Sequence, residues 1–368
     1  MNVCCNPFGT SGYSQHSKNL LRGLIKNNAD IAIEIWGIPS QDWRGMEPDL
    51  NQYIEKDYTY ENSLIIAMPE FWKLKTSDHV NSLAYGIFEG TKVPMGWAEA
   101  AKNENIKAII CASNHNMEAW LKVLEDEEII NKLQVVHHGV NPDIFKPEGE
   151  KDKNFTEEKF RFLFVGGWKD GINDRKGLDL ALKAFSEEFK PEENVDFVLK
   201  INDAYQSLDQ FNYNINSLKL PEKRGKIQII FGSIPEIELA KVYRSCDVFV
   251  MPSKAESFCM PVAEAMAVGL PIIATNYSGY LDYVTKDNLL VRVEKMIQAT
   301  GEPWWYEQAQ WALLDIEDLK KKMRYAYNHR EKMKNIGMKN SENVRKNLTW
   351  EQSAKKILEL AEERLNAK

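Results

Sequence analysis

A chain of 368 residues that is 43% apolar and 27% charged is long enough to bury two cores, and its make-up excludes disorder or low-complexity assembly as its mode of action. Its net charge of −7 is uneven: residues 1–150 hold 13 Lys+Arg against 21 Asp+Glu, net −8, and the remainder holds 34 against 33, net +1. An acidic first half argues against DNA, RNA or an anionic lipid surface as the main partner, since each requires clustered Lys and Arg.

The opening MNVCCNPFGTSG has no basic leader and no long apolar core, and no run of eighteen apolar residues follows. The expectation is a cytoplasmic protein, at most peripheral to the inner face of a membrane. The apolar runs NVCC, IAIEIWG, SLIIAM, LAYGIFE, IKAIICAS and LQVVHHG alternate with helical patterns through the first 140 residues. That alternation predicts a parallel, doubly wound sheet. In HSKNLLRGLIKNN, Lys18, Arg22 and Lys26 recur one helical turn apart opposite Leu20, Leu21, Leu24 and Ile25, which reads as a solvated face rather than a lipid-contacting stripe.

Loops after strands are where ligands of such sheets bind. FGTSGYSQHSKNLL follows the first run, with Gly9 and Gly12 permitting close backbone approach and Ser14 as the expected helix cap. In YGIFEGTKVPMGW, Glu89 leaves the end of an apolar run, where an acid serves either a ligand or the cap of the next helix.

The charged stretch PDIFKPEGEKDKNFTEEK marks a crossing, after which FRFLFVGG, DFVLKI, IQIIFGS, CDVFVMPS and PIIAT restart the pattern. The predicted domains are 1–150, 151–345 and a closing amphipathic helix in 346–368, capped by Thr349. In GGWKDGINDRKGLDLALKAF, Arg175 and Lys176 stand before a helix, where the dipole disfavours cations unless an anion joins them. In ESFCMPVAEAMAVGLPIIAT, Pro261 and Gly269 delimit a helix, and the amides of Ser257, Phe258, Cys259 and Met260 at its start form a phosphate site. Glu256 and Glu264 lie on either side, and ionised carboxylates only accept hydrogen bonds, so their partners are hydroxyls. A diphosphate with a polyol at each end, a nucleotide sugar, satisfies both requirements.

The remaining features read as structure. Cys4, Cys5, Cys111, Cys246 and Cys259 show no CxxC spacing and are expected reduced and buried. His137 and His138 fit an interdomain corner better than a metal site, and Trp304 and Trp305 fit the cover of a core edge better than a sugar platform. With no Asp-x-Asp at a strand end, neither a metal nor a cofactor is expected.

Glu256 and Glu264, separated by seven residues in ESFCMPVAEAMAVGLPIIAT, resemble the E-x7-E motif of the retaining, metal-independent family 4 glycosyltransferases of the GT-B fold. VVHHGVNPDIFKP, FVGGWKDGINDRKGLDLALKAF, FGSIPEIELAKVYRSCDVFVMPS and WEQSAKKILELAEERL are similar to family segments in the same order. The resemblance implies an α/β fold of two doubly wound Rossmann-like domains facing a cleft. The first domain would lie on the acceptor side, the second would bind the nucleotide sugar, and the last helix would pack back toward the first. It further implies hexosyl transfer, with retention, from a nucleoside diphosphate sugar to a saccharide, lipid-linked or other hydroxyl acceptor.

By the same resemblance Lys176 holds the diphosphate, Glu256 the donor-sugar hydroxyls and Glu264 the ribose, with Gly12 and Tyr13 as further donor contacts. Glu89 stands near where many members carry His. Gly167 takes the place of the family's Arg, making Arg175 the candidate replacement, and Cys259 stands where relatives commonly carry Gly. The alternatives are an epimerase or phosphorylase on the same fold, or a non-catalytic nucleotide-sugar-binding protein.

Overall fold

The computed structural model describes residues 1–36, 47–54, 56–57, 61–76, 81–156 and 158–365. Gly37, at the end of the predicted run IAIEIWG, and the last three residues of the predicted closing helix lie outside these. Two compact units divide the chain. Unit 1 comprises 1–139, 304–309 and 348–368, and unit 2 comprises 140–303 and 310–347.

Unit 1 is built on a six-stranded parallel sheet of β1 (Asn2–Cys5), β2 (Ala32–Ile35), β3 (Asn62–Ile65), β4 (Asn81–Tyr85), β5 (Ile106–Cys111) and β6 (Leu133–Val135). Its spatial order is β2-β1-β3-β4-β5-β6. Every residue of β1 is buried, as is every residue of β5 but Lys107, which is why these strands read as largely apolar runs and not as alternating ones. The helix Gly12–Lys26 packs against the helix Trp350–Leu365, where Ala354 and Ile357 are fully buried. Thr349 and Gln352 cap the latter reciprocally: Thr349 Oγ1 accepts from Gln352 N at 3.2 Å and Gln352 Oε1 accepts from Thr349 N at 3.0 Å. On the outer face of Gly12–Lys26, Lys18 pairs with Glu47 at 3.0 Å and Arg22 with Asp49 at 2.9 Å. These cations are therefore neutralised within the unit.

Unit 2 repeats the plan with β7 (Phe160–Gly166), β8 (Val195–Ile201), β9 (Lys226–Phe231), β10 (Val248–Met251), β11 (Ile272–Thr275) and β12 (Leu289–Val291). All are parallel in the order β12-β11-β10-β7-β8-β9. Val248 stands opposite Phe162 and Phe249 opposite Leu163, so the order reverses between β7 and β10. Ligands of open parallel sheets bind at such a reversal, beyond the carboxyl ends of the strands. A further antiparallel pair, β13 (Val293–Gln298) and β14 (Gln310–Leu314), was not predicted. β13 has no buried residue and lacks the apolar alternation that marks a strand in sequence. Among the described residues no helix is long and apolar enough to cross a membrane.

Candidate functional site

The loops after β7 and β10 leave the sheet side by side. The first passes through a short turn at Gly171–Asn173 to the helix Leu178–Glu188, whose N-cap, Gly177, is left-handed at φ 64°. A Cβ at Gly177 would lie 2.3 Å from the Pro252 carbonyl oxygen, so glycine is what lets the two loops touch. Lys254 then ties them: its N–H donates to the Arg175 carbonyl at 2.8 Å and its Nζ to the Ile172 carbonyl at 3.1 Å. Asp174 Oδ1 accepts from Lys176 N at 2.7 Å and fixes the approach to the helix.

These contacts bring three predicted residues together. Lys176 Nζ lies 2.7 Å from Glu256 Oε1, and Arg175 Nη1 lies 3.0 Å from Glu256 Oε2. Ser253 Oγ donates to Glu256 Oε1 at 2.7 Å, and Arg175 also donates to the Ala255 carbonyl. Glu256 is 4% exposed, whereas the side chains of Arg175 and Lys176 keep 21% and 20%. The cations thus form the wetter side of a cluster with one net positive charge. Burial pushes the Glu256 carboxyl up, but Arg175 and Lys176 outweigh it and draw the group down to about 2. Burial likewise lowers the Lys176 ammonium, and Glu256 outweighs it, leaving the group above its ordinary value.

The rest of the loop is held from β11. Ser278 Oγ accepts from Glu256 N at 3.1 Å, Gly279 N donates to the Glu256 carbonyl at 2.9 Å, and Tyr283 Oη lies 2.8 Å from both the Phe258 and Cys259 carbonyls. Ser257, Phe258 and Cys259 are buried at 8%, 2% and 6% exposure. The helix Met260–Ala267 starts one residue before Pro261. Its N-cap, Cys259, is left-handed at φ 74°, a conformation that glycine adopts without strain and a side chain does not. That helix has no side-chain cap and no acid in its first turn, so its own residues leave the positive end of the dipole unanswered.

Glu264 does not join the cluster. It lies in the second turn of that helix, where Tyr243 Oη donates to its Oε2 at 2.9 Å. Burial and then the charge of Glu236 push it up to about 7. Gly167 faces the ring of Tyr205, whose Cδ2 would lie 2.6 Å from a Cβ built there. The tyrosine fills the space an arginine stem would need, while Arg175 reaches the β10 loop from the next turn of chain.

The other predicted residues belong to unit 1. Gly12 and Tyr13 open the helix Gly12–Lys26, but its cap is Ser11, whose Oγ accepts from Ser14 N at 3.2 Å. Ser14 lies inside the helix and instead donates to the Phe8 carbonyl at 3.2 Å. Glu89 accepts a hydrogen bond from Tyr306, and its carbonyl lies 2.9 Å from His115 Nε2. It does not cap the next helix, Met95–Ala101, whose N-cap is Pro94. His138 is buried and stacks on His16 with centroids 4.2 Å apart. Among the described residues no group of three or more His, Cys, Asp or Glu is arranged to hold a metal ion. Sequence reasoning missed Ser253, whose partner Glu256 is three residues away, and Lys254, Tyr243, Tyr283 and Tyr306, whose roles come from contacts remote in the chain. Ser253 and Lys254, inside the loop between β10 and Glu256, were the nearest to a readable signal.

Residues 145–303 match the family model described as glycosyl transferases group 1. An uncharacterized glycosyltransferase of Methanocaldococcus jannaschii is 28% identical over 264 residues, which cover 70% of this chain and 60% of that protein. The chain therefore spans less than two thirds of that relative's length. Among solved structures, sucrose-phosphate synthase from Thermosynechococcus elongatus superposes with a TM-score of 0.72 at 16% identity, covering 100% of this chain and 99% of that one. Anabaena HepE in complex with UDP and glucose superposes with a TM-score of 0.68 at 12% identity, covering 99% and 100%. These likenesses give the fold, GT-B, built from two Rossmann-like domains.

Proposed function

We propose that this protein is a retaining, metal-independent glycosyltransferase that moves a hexosyl group from a nucleoside diphosphate sugar to an acceptor hydroxyl. The observation that carries the reading is the Arg175–Glu256–Lys176 cluster at the strand-order reversal of unit 2, beside an uncapped helix start. Arg175, Lys176 and the amides preceding Met260 would receive the diphosphate, Glu256 the donor-sugar hydroxyls, and Glu264 the ribose. Further support comes from the family match over 145–303.

In this reading the bond from the anomeric carbon to the diphosphate oxygen breaks as the acceptor oxygen bonds to the same carbon on the same face. The acceptor's proton passes to the departing phosphate. Negative charge gathers on the diphosphate, and fixed cations in a partly dry site stabilise it without reorganising, which is the dominant electrostatic term in such reactions. Glu89, held by Tyr306, would accept from an acceptor hydroxyl.

Release of nucleoside diphosphate from UDP-, GDP- and ADP-hexoses tests the proposal. The wild type turns over at least one donor, and a chelator leaves the rate unchanged. Lys176→Ala and Glu256→Ala each lose on the order of 10² to 10³ in rate. No release from any donor, or either variant matching the wild type, refutes it.

A further inference from the structure

β9 ends the sheet of unit 2 and pairs on one side only, with β8. Its inner neighbours β7 and β8 bury every residue but Gly166, whereas β9 buries none, and Ile229 at its middle is 44% exposed. Edge strands ordinarily carry a proline, a bulge or a central charge that keeps other strands away. β9 carries none of these. It runs in unbroken register from Lys226 opposite Asp196 to Phe231 opposite Ile201, and its charge, Lys226, stands at the very start.

Gly232 N donates to the Ile201 carbonyl at 3.0 Å, so the backbone there faces β8. Alternation along the strand then turns the N–H and C=O groups of Ile227, Ile229 and Phe231 outward, away from the sheet. A second copy of β9, antiparallel about a two-fold axis at Ile229, sets Ile229 against its own counterpart and Ile227 against Phe231. That register puts all three outward residues of each copy into hydrogen-bonded pairs, and every side chain of the row is apolar. Centring on Gln228 instead leaves Phe231 opposite Gly225, whose N–H already donates to the Phe189 carbonyl at 2.9 Å.

The ends complete the fit. With the axis at Ile229, Lys226 of one copy lies opposite Gly232 of the other. Gly232, at φ 100°, offers no side chain there, and the carboxylate of Asp203 stands beside it, with Oδ2 3.9 Å from where a Cβ would be. Ser233 Oγ donates to Asp203 Oδ1 at 2.5 Å and holds it at this end of the strand. Lys226 and Asp203 are both exposed. The two-fold axis repeats the meeting, so the seam has a cation against a carboxylate at each end and apolar side chains between.

We propose that this protein forms a two-fold homodimer in which the β9 edges pair antiparallel through Ile229, Lys226 of each copy meeting Asp203 of the other. Each copy offers one such edge, so the contact closes at two copies and joins two six-stranded sheets into one. The surface lies wholly on unit 2 and does not depend on the transferase reading.

Analytical ultracentrifugation of the full chain tests it. The wild type sediments at twice the chain mass. Ile229→Lys brings two ammonium groups together on the axis and sediments as a monomer with an unchanged circular dichroism spectrum. Lys226→Glu and Asp203→Lys each raise the dissociation constant by about tenfold, because like charges then meet at both ends. An equimolar mixture of those two variants recovers the wild-type value, because every end again joins opposite charges; variants that had merely failed to fold would not recover. A wild type that is monomeric throughout, leaving the edge to a foreign strand, overturns the proposal, as does open-ended association in place of a dimer. A dimer that survives Ile229→Lys, or a mixture no tighter than its components, overturns it equally.

Discussion

Replacing Glu256 with Gln separates what the cluster does for the fold from what it does for an anion. The carboxylate answers two cations, at 2.7 and 3.0 Å, and its loss raises the local charge from one to two. A unit charge pair at about 4 Å is worth about 4 kcal/mol at an effective dielectric of about 20. With the cations one-fifth exposed, a gain of about 1.5 kcal/mol is realistic, which is about tenfold in affinity. Glu256→Gln should therefore bind inorganic pyrophosphate about tenfold more tightly than the wild type in a calorimetric titration. In the absence of pyrophosphate the variant should unfold about 2 to 3 kcal/mol more easily, because two partly buried cations lose their partner. The folded carboxyl titrates at about 2, below its unfolded value. Its stabilising contribution is thus present above the unfolded carboxylate pKa and lost only as pH falls toward 2, so the comparison holds at any neutral pH. A folded variant that binds pyrophosphate no more tightly than the wild type would refute the assignment of Arg175 and Lys176 as an anion clamp.

Two further outcomes follow from contacts elsewhere. Glu264 is pushed up to about 7, so the folded state binds the extra proton and wild-type stability falls as pH rises from the unfolded value through 7. Glu264→Gln removes that slope. Urea unfolding should show the variant level with the wild type near pH 4.5 and more stable by about 1 to 3 kcal/mol at pH 8, and a difference independent of pH would contradict the assignment. Gly90→Ala puts a methyl group against Ala309 and Phe88. It should destabilise unit 1 by about 1 to 3 kcal/mol and shift tryptophan emission to the red as Trp305 loses its cover, whereas an unchanged spectrum would show that the segment 304–309 is not seated there.

Both sheets were readable from the sequence because parallel strands buried on two faces leave largely apolar runs such as FRFLFVG, in which the first six residues, Arg161 included, are buried. The meeting of Arg175, Lys176 and Glu256 follows from the neighbouring positions of β7 and β10 in the sheet, an order that the alternation of runs does not specify. What stayed hidden depends on long-range contact or on one-residue offsets. Ser11 and Ser14 both fit a cap, and only the extended conformation of Ser11 decides between them. Trp304 and Trp305 read alike in sequence, yet in the docked segment one is half-buried edge-on to Trp97 and the other is left open. Tyr306 lies 217 residues from Glu89, and no local pattern could pair them.

The helix Trp350–Leu365 covers the helix Gly12–Lys26 and borders β4 and β5, which gives unit 1 a peculiar biography. A ribosome adding about 5 to 20 residues per second needs about 10 to 40 s to travel the roughly 200 residues between the end of the first sheet and that helix. During this interval the strands of unit 1 exist without their last cover, and the whole of unit 2 is made meanwhile. The half that is synthesised first is therefore the half that finishes folding last.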